Sequence, residues 1–277
     1  MVVGGVRNRM DTDGGTARNY CCAILGGIDN FVRDDYHSVI LGGQSNEMRD
    51  GSDFAAIIGG QNLNENITNG DRAAMVGGFT CTGRGYASFI GGSRNSNTNL
   101  SGATNACVIG GRSSRAHGAY SQAHGRQARS YSSGAFVWGD GTNTIVTSAN
   151  ANEWSVQTNN GMRIYTNSNL STGVSLANGS TSWGTISDRN VKENFEPTDA
   201  NEILEKLHNV EISKWNVKGK PEEKHIGPIA QDFYEQFGLG RSEKIIDTVD
   251  LDGVTLRGIQ GLYREIKQLQ AEIATLS

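Results

Sequence analysis

Proline is scarce, with three residues in a chain of 277, against thirty-seven glycines. Glycine at nearly twice its usual share of about 7%, without proline in a three-residue period, excludes a collagen helix. Charged residues make up only 19% and aromatic residues 7%, too little charge for a disordered acidic or basic tail. A basic surplus is also missing. The formal net charge is -4, which argues against a dedicated nucleic-acid binder. No stretch of eighteen apolar residues occurs, so no membrane span is expected. The start, MVVGGVRNRM, lacks the apolar core of a secretory signal. Cys21, Cys22, Cys81 and Cys107 show no CxxC spacing, so reduced thiols are expected, with no zinc and no cofactor. Hydrophobic residues reach 36%. A thin, repeated structure needs fewer of them than one broad core.

Composition changes near residue 186. Residues 187–277 hold 12 Lys+Arg, 17 Asp+Glu and 7 glycines, whereas residues 1–186 hold 13, 12 and 30. Charge density roughly doubles across this point and helix formers cluster after it. Two folds are expected, divided at 186/187.

The first half repeats. The second glycines of successive GG pairs are Gly5, Gly27, Gly43, Gly60, Gly78, Gly92 and Gly111, and the series continues through Gly125 and Gly139. The later intervals are 14, 19, 14 and 14, so a 14-residue unit with variable inserts is expected. Apolar runs open the units, as in AILGG, VILGG, AIIGG and AMVGG. Short β-branched runs followed by glycine and then a polar residue read as strand, tight turn, strand. Repeats of this size stack as coils that bury their apolar faces on one another. The pattern resembles the head of trimeric autotransporter adhesins, a left-handed β-roll of 14-residue coils, which implies a parallel homotrimer. A monomeric Gly-rich solenoid is the competing reading. The start at Val2–Gly5 looks like an interrupted repeat, which points to residues upstream.

Residues 143–186 lose the GG unit. Trp154 and Val156, Met162 and Ile164, and Val174 and Leu176 alternate with polar residues between NNG and NGS turns, which predicts a stem of β-hairpins. The fold class is therefore mainly β, with a Gly-rich β-roll over 1–142, a short β stem over 143–186 and a C-terminal α+β domain over 187–277. Within that domain Asp199–Val210 reads as a helix with Asp199 as N-cap and Glu202 as capping-box partner. VEISKWNV reads as a strand, and KHIGPIAQDFYEQFG as strand and helix. Ile259, Leu262, Ile266, Leu269, Ile273 and Leu276 form a heptad seam in a coiled coil over about 258–277. Isoleucine at a with leucine at d favours parallel dimers in isolated coils. The seam is too short to fix the order, and the β-roll decides for a trimer.

Where the halves meet stands Ser187-Asp188-Arg189-Asn190-Val191-Lys192-Glu193-Asn194. With HIGPIAQDFYE in the middle and VDLDGVTLRGIQGLYREIKQLQ at the end, residues 187–277 resemble the intramolecular chaperone auto-processing domain of phage endosialidases and other tail spikes. A related domain occurs in the myelin regulatory factor. The resemblance implies a domain that trimerises, helps the upstream fibre fold and then releases itself. It implies Ser187 as nucleophile, Lys192 as general base and Ile186–Ser187 as the scissile bond. The chemistry is coherent, because a serine hydroxyl needs a neighbour to take its proton, and a lysine does so once desolvated. Five residues apart, the two do not share a helix face, so a loop, an extended segment or a neighbouring chain must join them. The bland alternative is a turn-capping serine and a surface lysine. Asp188 either orients Lys192 or makes an Asx-turn, and the turn is preferred. His225 and Gln231 are possible auxiliaries, with a half-buried structural role preferred for His225.

Other signals are weak. GRGYAS (83–88) lacks the third glycine of a dinucleotide loop. His117 and His124 recur in RAHG and QAHG, but packing explains them better than a metal ring, and no metal is expected. GDG at 139–141 reads as a turn. Asn66, Asn99 and Asn178 fall in N-x-S/T, which matters only with secretion. The expected function is a virion component, a tail fibre or spike folded in the host cytoplasm and extracellular in the mature particle. Its expected partners are itself, other virion proteins and a host receptor or glycan. The alternative is a host-binding adhesin whose C-terminal domain stays attached as an uncut trimerisation cap. Glycan hydrolysis is disfavoured, because residues 1–186 lack carboxylates gathered around aromatic subsites.

Overall fold

The computed structural model describes residues 1–11, 21–33, 35–49, 53–62, 64–66, 72–94, 97–98 and 103–276. Asn99, one of the N-x-S/T asparagines, lies outside them. The chain forms two compact units, Met1–Ser187 and Asp188–Ser277.

The first unit is a β-solenoid. Successive coils each add one strand to each of two nine-stranded sheets, and every pairing within them is parallel. Side chains alternate across a strand, so the middle residue of each short run points inward. Ile24, Ile40, Ile57, Met75, Ile90 and Val108 stack from one sheet. Val32, Met48 and Ala116 face them from the other, and all are at most 1% exposed. Further along, the stack narrows to Ala123, Ala128 and Val137. One apolar side chain per strand suffices, which is how a chain with so few large apolar residues builds a continuous core.

The GG corners have a steric reason. A Cβ on Gly27 would lie 2.2 Å from the Gly43 carbonyl, and one on Gly43 2.3 Å from that of Gly60. Only glycine lets adjacent coils approach so closely. In one coil the place moves: Ile90 is level with Met75 and Val108, so Ser93 rather than Gly92 stands beside Gly78, accepting from Phe79 N at 2.9 Å. Three residues past each of the first GG pairs an asparagine turns inward. Asn30 Nδ2 donates to the carbonyls of Gly26 and Gly43 at 3.0 and 3.1 Å. Asn30 Oδ1 accepts from Asn46 N at 3.1 Å, and Asn46 Nδ2 repeats the pattern on Gly42 and Gly60. In later coils Cys81 Sγ and Ser114 Oγ donate to the next coil's carbonyls. Asn30→Ala strips this rung and leaves a buried amide of Asn46 without its acceptor. It should lower stability by about 2–4 kcal/mol, read as a shift of the urea midpoint.

The opposite corner buries an acid. Tyr36 N–H donates both to Asp35 Oδ1 at 3.2 Å and to Asp53 Oδ1 at 3.1 Å. Burial, then the neighbouring Asp53, pushes the Asp35 carboxyl up to about 7 from an ordinary 3.8. The folded roll thus keeps a proton that the unfolded chain releases. The stabilisation is complete below pH 4 and is lost as pH rises through 7. At about 1.4 kcal/mol per pH unit the window is worth up to about 4 kcal/mol. Thermal melts should therefore rise from pH 8 to pH 5. Asp35→Asn should melt higher than the wild type at pH 8 and show a flatter profile.

The stem starts later than the sequence suggested. Val146–Thr147 and Trp154–Gln157 are not hairpin strands: each extends one solenoid sheet in parallel, beside Ala128–Ser130 and Phe136–Gly139 respectively. Alternation has the same period in both kinds of strand, so it could not tell them apart. The antiparallel sheet comprises Met162–Tyr165, Gly173–Leu176 and Gly184–Thr185.

The second unit holds helices α1 (Ala200–Asn209), α2 (Ala230–Phe237) and α3 (Thr248–Leu276), with a hairpin of Ile212–Trp215 and His225–Pro228. Asp199 caps α1 by accepting from Asn201 N at 2.9 Å. The Glu202 carboxylate pairs with Lys206 at 2.6 Å, the i,i+4 partner on the helix surface. Gly238 closes α2 in a left-handed conformation, φ 61°, as a C-terminal glycine should. Helix α3 begins eleven residues before the first seam residue, Ile259. Its Val254, Gly258 and Gly261 are buried, and the two glycines admit Leu207 and Leu204 of α1.

Candidate functional site

The segment around residue 187 is positioned by the stem. Gly184–Thr185 pairs with Val174 and Ser175, and Ile186 N–H donates to Gly173 O at 3.3 Å. Ile186 is thus held at the end of a strand, with its side chain 36% exposed. Ser187, the next residue, is exposed and is the last of the first unit.

Asp188 opens the second unit and starts a single 3-10 turn, Arg189–Val191. Its Oδ1 accepts from Asn190 N and Asn190 Nδ2, both at 2.9 Å. That is the Asx-turn expected of aspartate at this place. Lys192 follows in extended conformation, φ -118° and ψ 150°, its N–H donating to Arg189 O at 3.2 Å. The Arg189 guanidinium lies over the Phe195 ring at 5.0 Å. Residues 181–199 are all exposed.

His225 stands opposite Trp215 in the hairpin, rings 4.8 Å apart. It is exposed rather than half-buried, because a two-stranded hairpin covers only one side of the ring. Gln231 is exposed in the first turn of α2. The seam residues Ile259, Leu262, Ile266, Leu269, Ile273 and Leu276 are all 52–88% exposed, while the face of α3 carrying Val254 and the two glycines is covered by α1. Two further features escaped the sequence reading. One is the Asp35–Asp53 pair. The other is a shallow groove of about 360 Å³ lined by Phe136, Trp138, Trp154, Val156 and Met162. Its aromatic residues were visible in the sequence, but their alignment across coils 18 residues apart was not.

His117 and His124 do not share a site: the first stacks on Tyr131 and the second on Phe136. Burial lowers the pKa of both, with Arg115 and Arg129 adding to the effect at His117. The GRGYAS segment forms the strand Thr82–Gly83 and a corner. Among the described residues no group of three metal-binding side chains is present, none of the four cysteines forms a disulfide, and no helix is long and apolar enough to cross a membrane.

No curated protein and no solved structure matches the chain. A family model does, and its match starts at the serine where the two units divide. Residues 187–238 match the family described as chaperone of endosialidase.

Proposed function

We propose that this chain is a component of a viral tail fibre or spike. Its C-terminal domain trimerises, assists folding of the β-roll and is released by one self-cleavage between Ile186 and Ser187. The observation that carries this reading is a coincidence of boundaries. The chaperone match begins at residue 187, and the compact units divide between residues 187 and 188. A cut there separates two folded bodies without breaking either core.

In the proposed reaction Lys192, as the free amine, takes the proton of the Ser187 hydroxyl. The oxygen adds to the Ile186 carbonyl carbon, and the C–N bond breaks as the leaving nitrogen accepts a proton. Ile186 is then held as an ester on Ser187 Oγ. Water hydrolyses the ester, leaving a carboxylate on Ile186 and an amino group on Ser187. The exposure of this segment lets that water in. In this reading assembly brings Ser187 and Lys192 into the reactive arrangement. Cleavage would then report correct assembly.

Six apolar seam side chains on α3, each more than half exposed, support association through this helix. Asp188 acts as the turn-former that places Lys192, and His225 and Gln231 remain auxiliaries of the same domain. Partners of the mature fibre are its own copies, other virion proteins and a host receptor or glycan. Native mass spectrometry of purified full-length protein tests the reading. Three copies each of an about 20 kDa and an about 10 kDa fragment are expected. A stable monomer at micromolar concentration overturns the trimer. An uncut trimer favours an adhesin with a retained cap.

A further inference from the structure

The outer face of one solenoid sheet is apolar along its length. One column of outward side chains contains Leu25, Leu41, Ile58, Val76, Ile109 and Trp138, each 38–49% exposed. The adjacent column runs from Ala23 and Val39 to Phe136 and Trp154, the last 70% exposed. At Gly91 the ring of Phe89 fills the place of the missing side chain. The other sheet shows the opposite character, with Arg9, Asp11, Arg33, Glu47 and Arg49 outward and paired as Arg9–Asp11 and Arg49–Glu47. Nine strands about 4.8 Å apart make a face about 40 Å tall. Two columns about 10 Å wide give on the order of 400 Å², the size of the largest apolar patch on an ordinary monomer.

One level of this face is polar. Gln122 and His124 occupy the two outward positions of the strand Gln122–Arg126. They stand in register with Cys107 and Ile109 on one side and with Phe136 and Trp138 on the other. The His124 ring stacks on Phe136 at 4.9 Å, and its Nε2 lies 3.3 Å from Gln122 Oε1. An imidazole and an amide here interrupt a face that apolar residues would complete.

We propose that this face binds further copies of the same chain, and that Gln122 and His124 form the polar layer that holds the copies in one register. The inference rests on the trimer reading above and adds the surface and the alignment key. The face alone does not specify alignment, because a copy displaced by one coil still meets apolar side chains. The polar layer does specify it. A parallel copy in register brings its own Gln122 and His124 to the same height, where amide and imidazole can pair across the interface. A copy one coil out sets them against Ile109 or Trp138, so that beyond their mutual contact their remaining polar atoms, Gln122 Nε2 and His124 Nδ1, lose water and meet no polar group across the interface. That penalty corresponds to about tenfold or more in the association equilibrium. A single polar layer in an apolar seam fixes register in coiled coils for the same reason. An unrelated apolar partner has no polar group bound to fall at this level; a copy of this chain always does.

Subunit mixing tests the proposal. Full-length chains, one carrying a mass tag, are co-expressed in pairs and the assembled species counted by native mass spectrometry. Tagged and untagged wild-type chains should mix statistically. In a shifted chain, Gln122→Val and His124→Ile remove the layer, and Val39→Gln with Leu41→His rebuilds it five coils away. It should assemble with itself and enter wild-type assemblies at least tenfold less often than statistics allow. Free mixing overturns the alignment key while leaving association intact. If the shifted chain does not accumulate folded, the chain with only Gln122→Val and His124→Ile decides. Its under-mixing with wild type supports the layer, and statistical mixing overturns it. Wild-type chains that stay monomeric overturn the underlying association itself.

Discussion

Ser187→Ala should leave the 29.7 kDa chain uncut on a denaturing gel while its assembly is unchanged. The substitution removes the attacking oxygen at an exposed residue, so little stability is at stake. Lys192→Ala should slow cleavage by at least about a hundredfold, the lower end of what a positioned base contributes. Lys192→Arg should fail equally, since a guanidinium does not give up its proton near neutral pH. Rescue by arginine would mean that the charge of Lys192, not its basicity, is what matters. A fragment that begins at residue 187 in the Ser187→Ala chain would assign the cut to a foreign protease.

The second large effect is an asymmetry between making the chain without residues 187–277 and removing them after folding. Each coil of the roll buries about one large side chain per strand, and its GG corners recur every 14–22 residues. Three such chains meet slowly, because association and loop entropy must be overcome before the contacts form. A C-terminal domain that trimerises first raises the local concentration of the three rolls to roughly millimolar. Folding then proceeds from one aligned end. In the proposed fibre, slow unfolding rather than a large equilibrium free energy would protect the assembled rolls. Expressed alone, residues 1–186 should aggregate or remain monomeric, whereas the same residues after cleavage should stay trimeric through gel filtration. A heat-resistant trimer from residues 1–186 alone would make the chaperone dispensable.

Much of the fold could be read from local chemistry. Apolar runs ending in GG gave the coils, because the glycines answer a contact with the next coil that no other residue permits. Asp199 and Gly238 marked the ends of helices through hydrogen bonds within a few residues. What stayed hidden was set by distance along the chain. The Asn8–Asn30–Asn46 ladder joins residues 16 and 22 apart, and Asp35 is buried beside Asp53 by the coil repeat, not by its neighbours. Trp154 and Val156 alternate as any half-buried strand does, so their parallel partner appears only with the solenoid in view. The site was legible as a motif but not as a geometry. Asp188 makes the turn expected of it, while Lys192 follows in an exposed, extended segment. His225 is held by Trp215, ten residues away across a hairpin, a contact its own flanking residues did not signal.

The most direct measurement is the intact mass and N-terminal sequence of the smaller product from freshly assembled wild-type protein. The account predicts one fragment of about 10 kDa beginning Ser187-Asp188-Arg189, matched by a larger fragment ending at Ile186. A fully assembled chain that remains uncut at 29.7 kDa, or a fragment that begins at any other residue, would contradict it.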